Sequence, residues 1–194
     1  MNDIARREQI LQAADRLLRH YGPQKTTVAD VAREAGVGVG TVYLEFPSKE
    51  AIVEALSRSR YEVVLEAMQK AAKADGRSFG ERLVGAFDAR LQAYFTQADN
   101  GAHACDLFHC GSPAVKSASE RFYHEEITLL ADLLAQGTMA GELDVADPAV
   151  TARVILRAYK SFSPPWIFME ERDEVGRLHA AMHAIVLRGV LARP

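Results

Sequence analysis

Two cysteines, one tryptophan and no apolar run of membrane-spanning length set the first limits on this 194-residue chain. Cys105 and Cys110 make no disulfide framework. On a helix their five-residue spacing would set them roughly 140° apart around the axis, which disfavours a bond between them. The opening MNDIARREQI lacks the apolar stretch of a secretory signal, so a cytoplasmic protein with no membrane partner is expected. Catalytic signatures are missing too. The chain contains no G-x-x-x-x-G-K-[ST], G-x-S-x-G or H-E-x-x-H, and neither cysteine sits in a recognisable nucleophile pattern with His and Asn. The expectation is a protein that is not an enzyme and needs no cofactor. A strong charge of either sign is also lacking. The net charge is −3, with nine Lys and Arg against eight Asp and Glu over residues 1–60 and fourteen against eighteen in the rest. That balance permits a nucleic-acid partner for the first part without demanding one.

No sustained period-two run with turn chemistry at both ends is present, whereas apolar residues recur at threes and fours throughout, so the fold class is all-α. With 48% apolar and 25% charged residues the chain can bury a core without staples. A first helix is predicted from about Asp3 to Tyr21, stopped by Gly22-Pro23. Thr27-Val28-Ala29-Asp30 fits a capping box, with Thr26 a neighbouring candidate cap, and opens a second helix to about Ala35. The stretch AGVGVGTVYLEF, residues 35–46, then places a glycine at every second position from Gly36 to Gly40. A dinucleotide loop would follow a strand and need a glycine at 41, where Thr41 stands. Gly36 instead suits a left-handed helix end, and Gly38 the N-cap of a short third helix. Gly40, in the first turn of that helix, costs about 1 kcal/mol of propensity, which suggests close approach to another surface. Helix, short turn and short helix is the helix-turn-helix plan.

At this point TTVADVAREAGVGVGTVYLEFPSKEAIVEAL, residues 26–56, resembles the DNA-binding domain of TetR-family transcriptional regulators, and DPAVTARVILRAY and the terminal IVLRGVL are similar to the last two helices of many members. The resemblance implies about nine helices. It also implies a three-helix helix-turn-helix domain over residues 1–47 and a bundle over 48–194 that binds an effector and dimerises. The implied function is a DNA-binding regulator, a repressor released from a palindromic operator by a small-molecule effector. One departure stands out. Many relatives carry a Ser-Lys or similar polar pair at Gly38-Val39, and an aromatic or basic residue followed by His at Leu44-Glu45.

Candidate DNA contacts follow from position on these elements. Val39 and Leu44 are candidates for apolar contact with thymine methyls, with Gly40 giving close approach and Thr41 a hydroxyl on the recognition helix. Thr27 can either cap the second helix or meet a phosphate there. Lys49, after Ser48 at the start of the fourth helix, makes an anion site with that N-terminus unless it is simply solvated. For Tyr43 the resemblance places the hydroxyl on the DNA backbone; the alternative is a ring packed on the first helix.

Beyond the reading head, the resemblance implies an apolar or aromatic effector held among Phe87, Leu91, Tyr94, Phe108, Phe122, Tyr123 and Trp166. Val175, Leu178, Met182 and Ile185 form a seam on the last helix, and Val154, Ala158 and Phe162 a stripe before it; together they predict a homodimer interface. HACDLFHC, residues 103–110, offers a competing idea, a metal- or redox-responsive repressor using Cys105, His109 and Cys110. His179 and His183, at i and i+4, are a second chelating pair that more often marks a solvated or interface face. A helical ligand-binding module that no longer reads DNA is the alternative from another class, suggested by the apolar recognition helix.

Overall fold

The computed structural model describes residues 3–98, 103, 105–109 and 111–192. The elements of these residues are helices: α1 (Asp3–Tyr21), α2 (Val28–Glu34), α3 (Val39–Glu45), α4 (Lys49–Ala72), α5 (Phe79–Ala98), α6 (Asp106–His109), α7 (Pro113–Met139), α8 (Pro148–Ala158) and α9 (Arg172–Val190). Two 3-10 turns, Tyr159–Phe162 and Trp166–Phe168, separate α8 from α9. Among the described residues the extended pairing is an isolated bridge between Leu143 and Leu191.

The chain divides into two compact units. The first comprises Met1–Tyr61 and Thr96–Glu120, the second Glu62–Phe95 and Arg121–Pro194. The division falls within α4, α5 and α7, each of which contributes residues to both units. It therefore differs from the sequence boundary at 47/48, because the helix that starts at Lys49 does not break where the reading head ends. In the first unit Ile10, Ala14 and Leu18 of α1, Val31 and Ala32 of α2, and Val42 of α3 close a core with Phe46, Ile52, Leu56, Leu107 and Val115.

Local chemistry explains the short helices. Thr27 and Asp30 form the capping box of α2: Thr27 Oγ1 accepts from the Asp30 N–H at 3.2 Å, and the Thr27 N–H donates to Asp30 Oδ2 at 3.0 Å. Thr26 does not compete as a cap, since its buried hydroxyl donates to the Gly22 carbonyl at 2.9 Å. At the other end Gly36 takes φ +66, and the amides of Gly36 and Val37 return to the carbonyls of Arg33 and Ala32, a Schellman closure. Gly38 is the N-cap of α3 and has no side chain to cap with.

In the second unit α8 starts at an Asp147 cap, whose carboxylate accepts from the Val150 N–H at 2.9 Å. The 3-10 turn that follows corrects part of the expected seam. It winds more tightly than an α-helix and carries Phe162 off the α8 stripe into the core, where its ring meets His179 at 4.9 Å. Val175, in the first turn of α9, is buried as well. Neither Phe162 nor Val175 is available to a surface.

Candidate functional site

In the first unit α3 presents a bare apolar face. Val42 points inward and is fully buried, while Val39, Tyr43 and Leu44 are exposed, Leu44 to 83%. Tyr43 is 52% exposed, so its ring is not packed beneath α1. Among the described residues, and apart from its own neighbours along α3, nothing lies within 4 Å of where a Cβ on Gly40 would stand, so the bare backbone there faces open space. Thr41 is half-buried beside them. The charged residue of α3, Glu45, lies 3.6 Å from Arg6, and the Arg7 guanidinium sits 4.4 Å over the Phe46 ring at the helix end. These two contacts brace α3 from α1.

Two candidate phosphate ligands have partners within the chain. Thr27 Oγ1–H donates to Asp30 Oδ2 at 2.6 Å, so capping accounts for the hydroxyl. The same contacts hold the Asp30 carboxyl below the ordinary carboxylate range. Lys49 Nζ donates to the Pro23 carbonyl at 2.9 Å, which ties the start of α4 to the turn after α1 and leaves two of its three N–H donors for other partners. Ser48 Oγ accepts from the Ala51 N–H at 3.1 Å and caps α4.

The expected effector residues are distributed over both units. Phe108 belongs to the first unit, where its carbonyl accepts from Tyr61 Oη at 2.8 Å. Phe87 stacks on Tyr159 at 3.8 Å in the core of the second unit, in which Tyr94 and Phe122 are also buried. Tyr123 is half-buried, and Trp166 is exposed. Of the seven, Leu91 lines a described cleft. This opening of about 410 Å³ between α5 and α9 is walled by Asp88, Leu91, Gln92, Phe95, Arg172, Gly176, His179 and Ala180. The difference arises because large aromatics stabilise this unit from within, leaving shorter and polar side chains to face solvent.

Beside the cleft lie groups whose convergence the sequence did not reveal. His183 Nε2 is 2.9 Å from Asp88 Oδ1, and His183 Nδ1 is 2.5 Å from Tyr159 Oη. His179 Nδ1 is 3.4 Å from the same Asp88 oxygen. Burial, with His183 beside it, pushes His179 down to about 4, so the imidazole is neutral at pH 7. Deeper in the unit Arg90 Nε donates to Glu126 Oε1 at 2.5 Å, and Arg90 Nη1 donates to the Phe162 carbonyl at 3.2 Å. Burial raises the Glu126 carboxyl against the opposing pull of Arg90. The competing sensor cluster lies largely outside the described residues: Cys105 sits just ahead of the four-residue α6, whereas Cys110 and the side chain of His109 are not described.

A three-helix unit whose second and third helices are joined by a glycine turn, with the third baring an uncharged apolar face, is a helix-turn-helix DNA-reading unit. Residues 10–56 match the pattern of "Bacterial regulatory proteins, tetR family". ArpR of Pseudomonas putida, a helix-turn-helix transcriptional regulator by name, is 30% identical over 154 residues, which span 74% of this chain and 73% of ArpR. YhgD of Bacillus subtilis (strain 168), likewise named for its helix-turn-helix, is 27% identical over 165 residues, 84% of this chain and 85% of YhgD. The solved complex of SmeT with triclosan superposes with a TM-score of 0.71 at 16% identity, over 96% of this chain and 92% of that one, and shares the fold. The chain belongs to the tetR family of bacterial regulatory proteins and is a DNA-binding transcriptional regulator. Among the described residues no helix is long and apolar enough to cross a membrane.

Proposed function

We propose that the chain is a cytoplasmic, non-enzymatic repressor that binds a palindromic operator as a homodimer and leaves it when a small effector binds. Residues 1–47 form the reading head, and residues 48–194 dimerise and sense. The observation that carries this reading is the exposure of Val39, Tyr43 and Leu44 around the bare Gly40 on α3, a surface that folding alone does not use. Val39 and Leu44 meet thymine methyls, Thr41 meets a base edge, and Tyr43 and Lys49 position the backbone. Thr27 is left to its capping role. Dimerisation rests on the apolar residues exposed along α8 and α9, Val154, Ala158, Leu178 and Ile185, with the half-buried Met182 between them.

The cleft between α5 and α9 supports an effector with an aromatic or apolar body against Leu91 and Phe95 and a polar end toward Gln92 and Arg172. This is more polar than the sequence suggested. Because α4 carries residues of both units, a shift of that helix is the route we infer from effector to reading head. The proposal is tested by selecting duplexes from a random pool, then titrating candidate effectors by calorimetry with and without the selected operator. A palindrome with half-site centres about 34–36 Å apart is expected. Operator must weaken the effector by the factor by which the effector weakens operator. Equal effector affinity in both titrations refutes release by ligand.

A further inference from the structure

We propose that Asp88, His179 and His183 form a binding site for a divalent transition-metal ion, zinc by ligand type, on the wall of the α5–α9 cleft. The three ligating atoms lie within 4.8 Å of one another, drawn from two helices of the same unit. In a tetrahedral zinc site, bonds of about 2.0–2.2 Å set neighbouring ligand atoms about 3.3 Å apart. The His179 Nδ1 to Asp88 Oδ1 separation is already 3.4 Å, and the His183 Nε2 to Asp88 Oδ1 separation is 2.9 Å. With the ligand atoms of the two histidines within 4.8 Å of each other, an ion closes the site by drawing in the solvent-exposed Asp88 carboxylate and the His183 ring.

Support for the site extends behind its ligands. A ligating histidine ordinarily commits its other ring nitrogen to a hydrogen bond that fixes its tautomer. His183 Nδ1 has such a partner in the fully buried Tyr159 hydroxyl, 2.5 Å away. Tyr159 is itself held by its stack on Phe87. His179 is gripped edge-on by the rings of Tyr159 and Phe162, at 5.4 and 4.9 Å. Two imidazoles and a carboxylate suit zinc over calcium or magnesium, which take oxygen ligands.

Three protein ligands leave a coordination position open. Asp88 and His179 line the cleft, so that position is reached from it and can take water or a donor atom of a bound molecule. The ion would also clamp α5 to α9. None of this depends on the DNA-reading assignment.

The test uses full-length protein stripped with a chelator, then equilibrated with zinc or cobalt(II). One zinc ion per chain by elemental analysis, and the intense visible absorption of four-coordinate cobalt, are expected. Asp88→Asn, at a solvent-exposed position, and His183→Gln should each weaken zinc by at least about 100-fold, and Tyr159→Phe by about 10- to 100-fold as an outer-shell partner. Melting of each variant in chelator controls for folding. A Cys105→Ser, Cys110→Ser double variant should bind zinc as the wild type does, with the same cobalt spectrum. Zinc that fails to bind, that survives both ligand substitutions undiminished, or that is lost with the cysteines overturns the proposal.

Discussion

Replacing Leu44 with alanine separates what α3 does for folding from what it does for reading. The side chain is 83% exposed, so its removal should leave stability within about 0.5 kcal/mol. Full burial of a leucine is worth about 1.5–3 kcal/mol, and truncation to alanine removes three of its four side-chain carbons. If Leu44 is buried against a thymine methyl, the loss is about 1–2 kcal/mol per half-site. Over two half-sites of a dimer this becomes about 2–4 kcal/mol, or about 30- to 900-fold in affinity. The assay is fluorescence anisotropy on a selected operator at one fixed salt concentration. A second arm replaces the contacted thymine with deoxyuridine, which deletes only the methyl group. At about 0.8 kcal/mol per carbon the wild type should lose about 4-fold per half-site and Leu44→Ala almost nothing, a coupling that identifies the pair. An alanine variant that binds the operator as tightly as wild type, or an equal uracil effect in both proteins, would refute apolar readout by this residue.

Ile185→Glu, at a position 63% exposed, should leave the protomer folded but bury an unpaired charge twice in a two-fold interface; light scattering at micromolar concentration should show monomers, and persistent dimers remove α9 from the interface. Lys49→Ala should weaken binding to all sequences alike and lower the salt slope by about 1 per half-site; an unchanged slope means that α4 does not touch the backbone. Thr27→Ala should cost about 1 kcal/mol in urea denaturation with little change in salt slope. Because the folded state lowers the pKa of Asp30, its contribution is present above the unfolded value of 3.8 and is lost as pH falls through the folded one, so this variant should also flatten the acid limb of stability. Glu126→Ala leaves Arg90 buried without its carboxylate and should cost about 3–5 kcal/mol, whereas the double change Arg90→Leu, Glu126→Leu should recover most of it; equal losses would show that packing rather than charge decides there.

The features legible in the sequence are those set by neighbours along the chain. The limits of α1, the capping box at Thr27 and Asp30, the left-handed Gly36 and the empty N-cap at Gly38 each need only a few adjacent residues, and all stand where the spacing put them. Exposure on α3 was legible only in part: the alternatives for Tyr43 stayed open until the burial of Val42 fixed which face of the seven-residue helix is left over. What stayed hidden depends on distant partners or on a change of helical pitch. Asp88 and His183 are 95 residues apart, and Arg90 and Glu126 are 36 apart, so no local pattern joins them. The Phe162 position fails for a different reason: a stripe projected at 3.6 residues per turn cannot anticipate the 3-10 turn that begins at Tyr159. Aromatic content likewise marks where a core is rich, not which ring faces a cavity.

Among the exposed apolar residues of the described surface, those on α3 and those on α8 and α9 have settings that point to different partners. Single exposed hydrophobics are ordinary, but clusters rimmed by polar groups need a surface to cover them. On α3 the cluster is narrow, one short helix, with the half-buried Thr41 within it and Lys49 opening the next helix. A single short helix suits a major groove, where methyl groups are the apolar feature and phosphates the flanking one. On α9 the cluster is long, Leu178 through Ile185 along successive turns, with Val150 and Val154 exposed on α8 in the same unit. Such a stripe suits another stripe of its own kind, which a second copy of the chain provides at no cost in new sequence. If that assignment is right, each cluster should fail alone: Ile185→Glu protein should keep the weak, salt-dependent binding of a single reading head, while Leu44→Ala protein should remain dimeric.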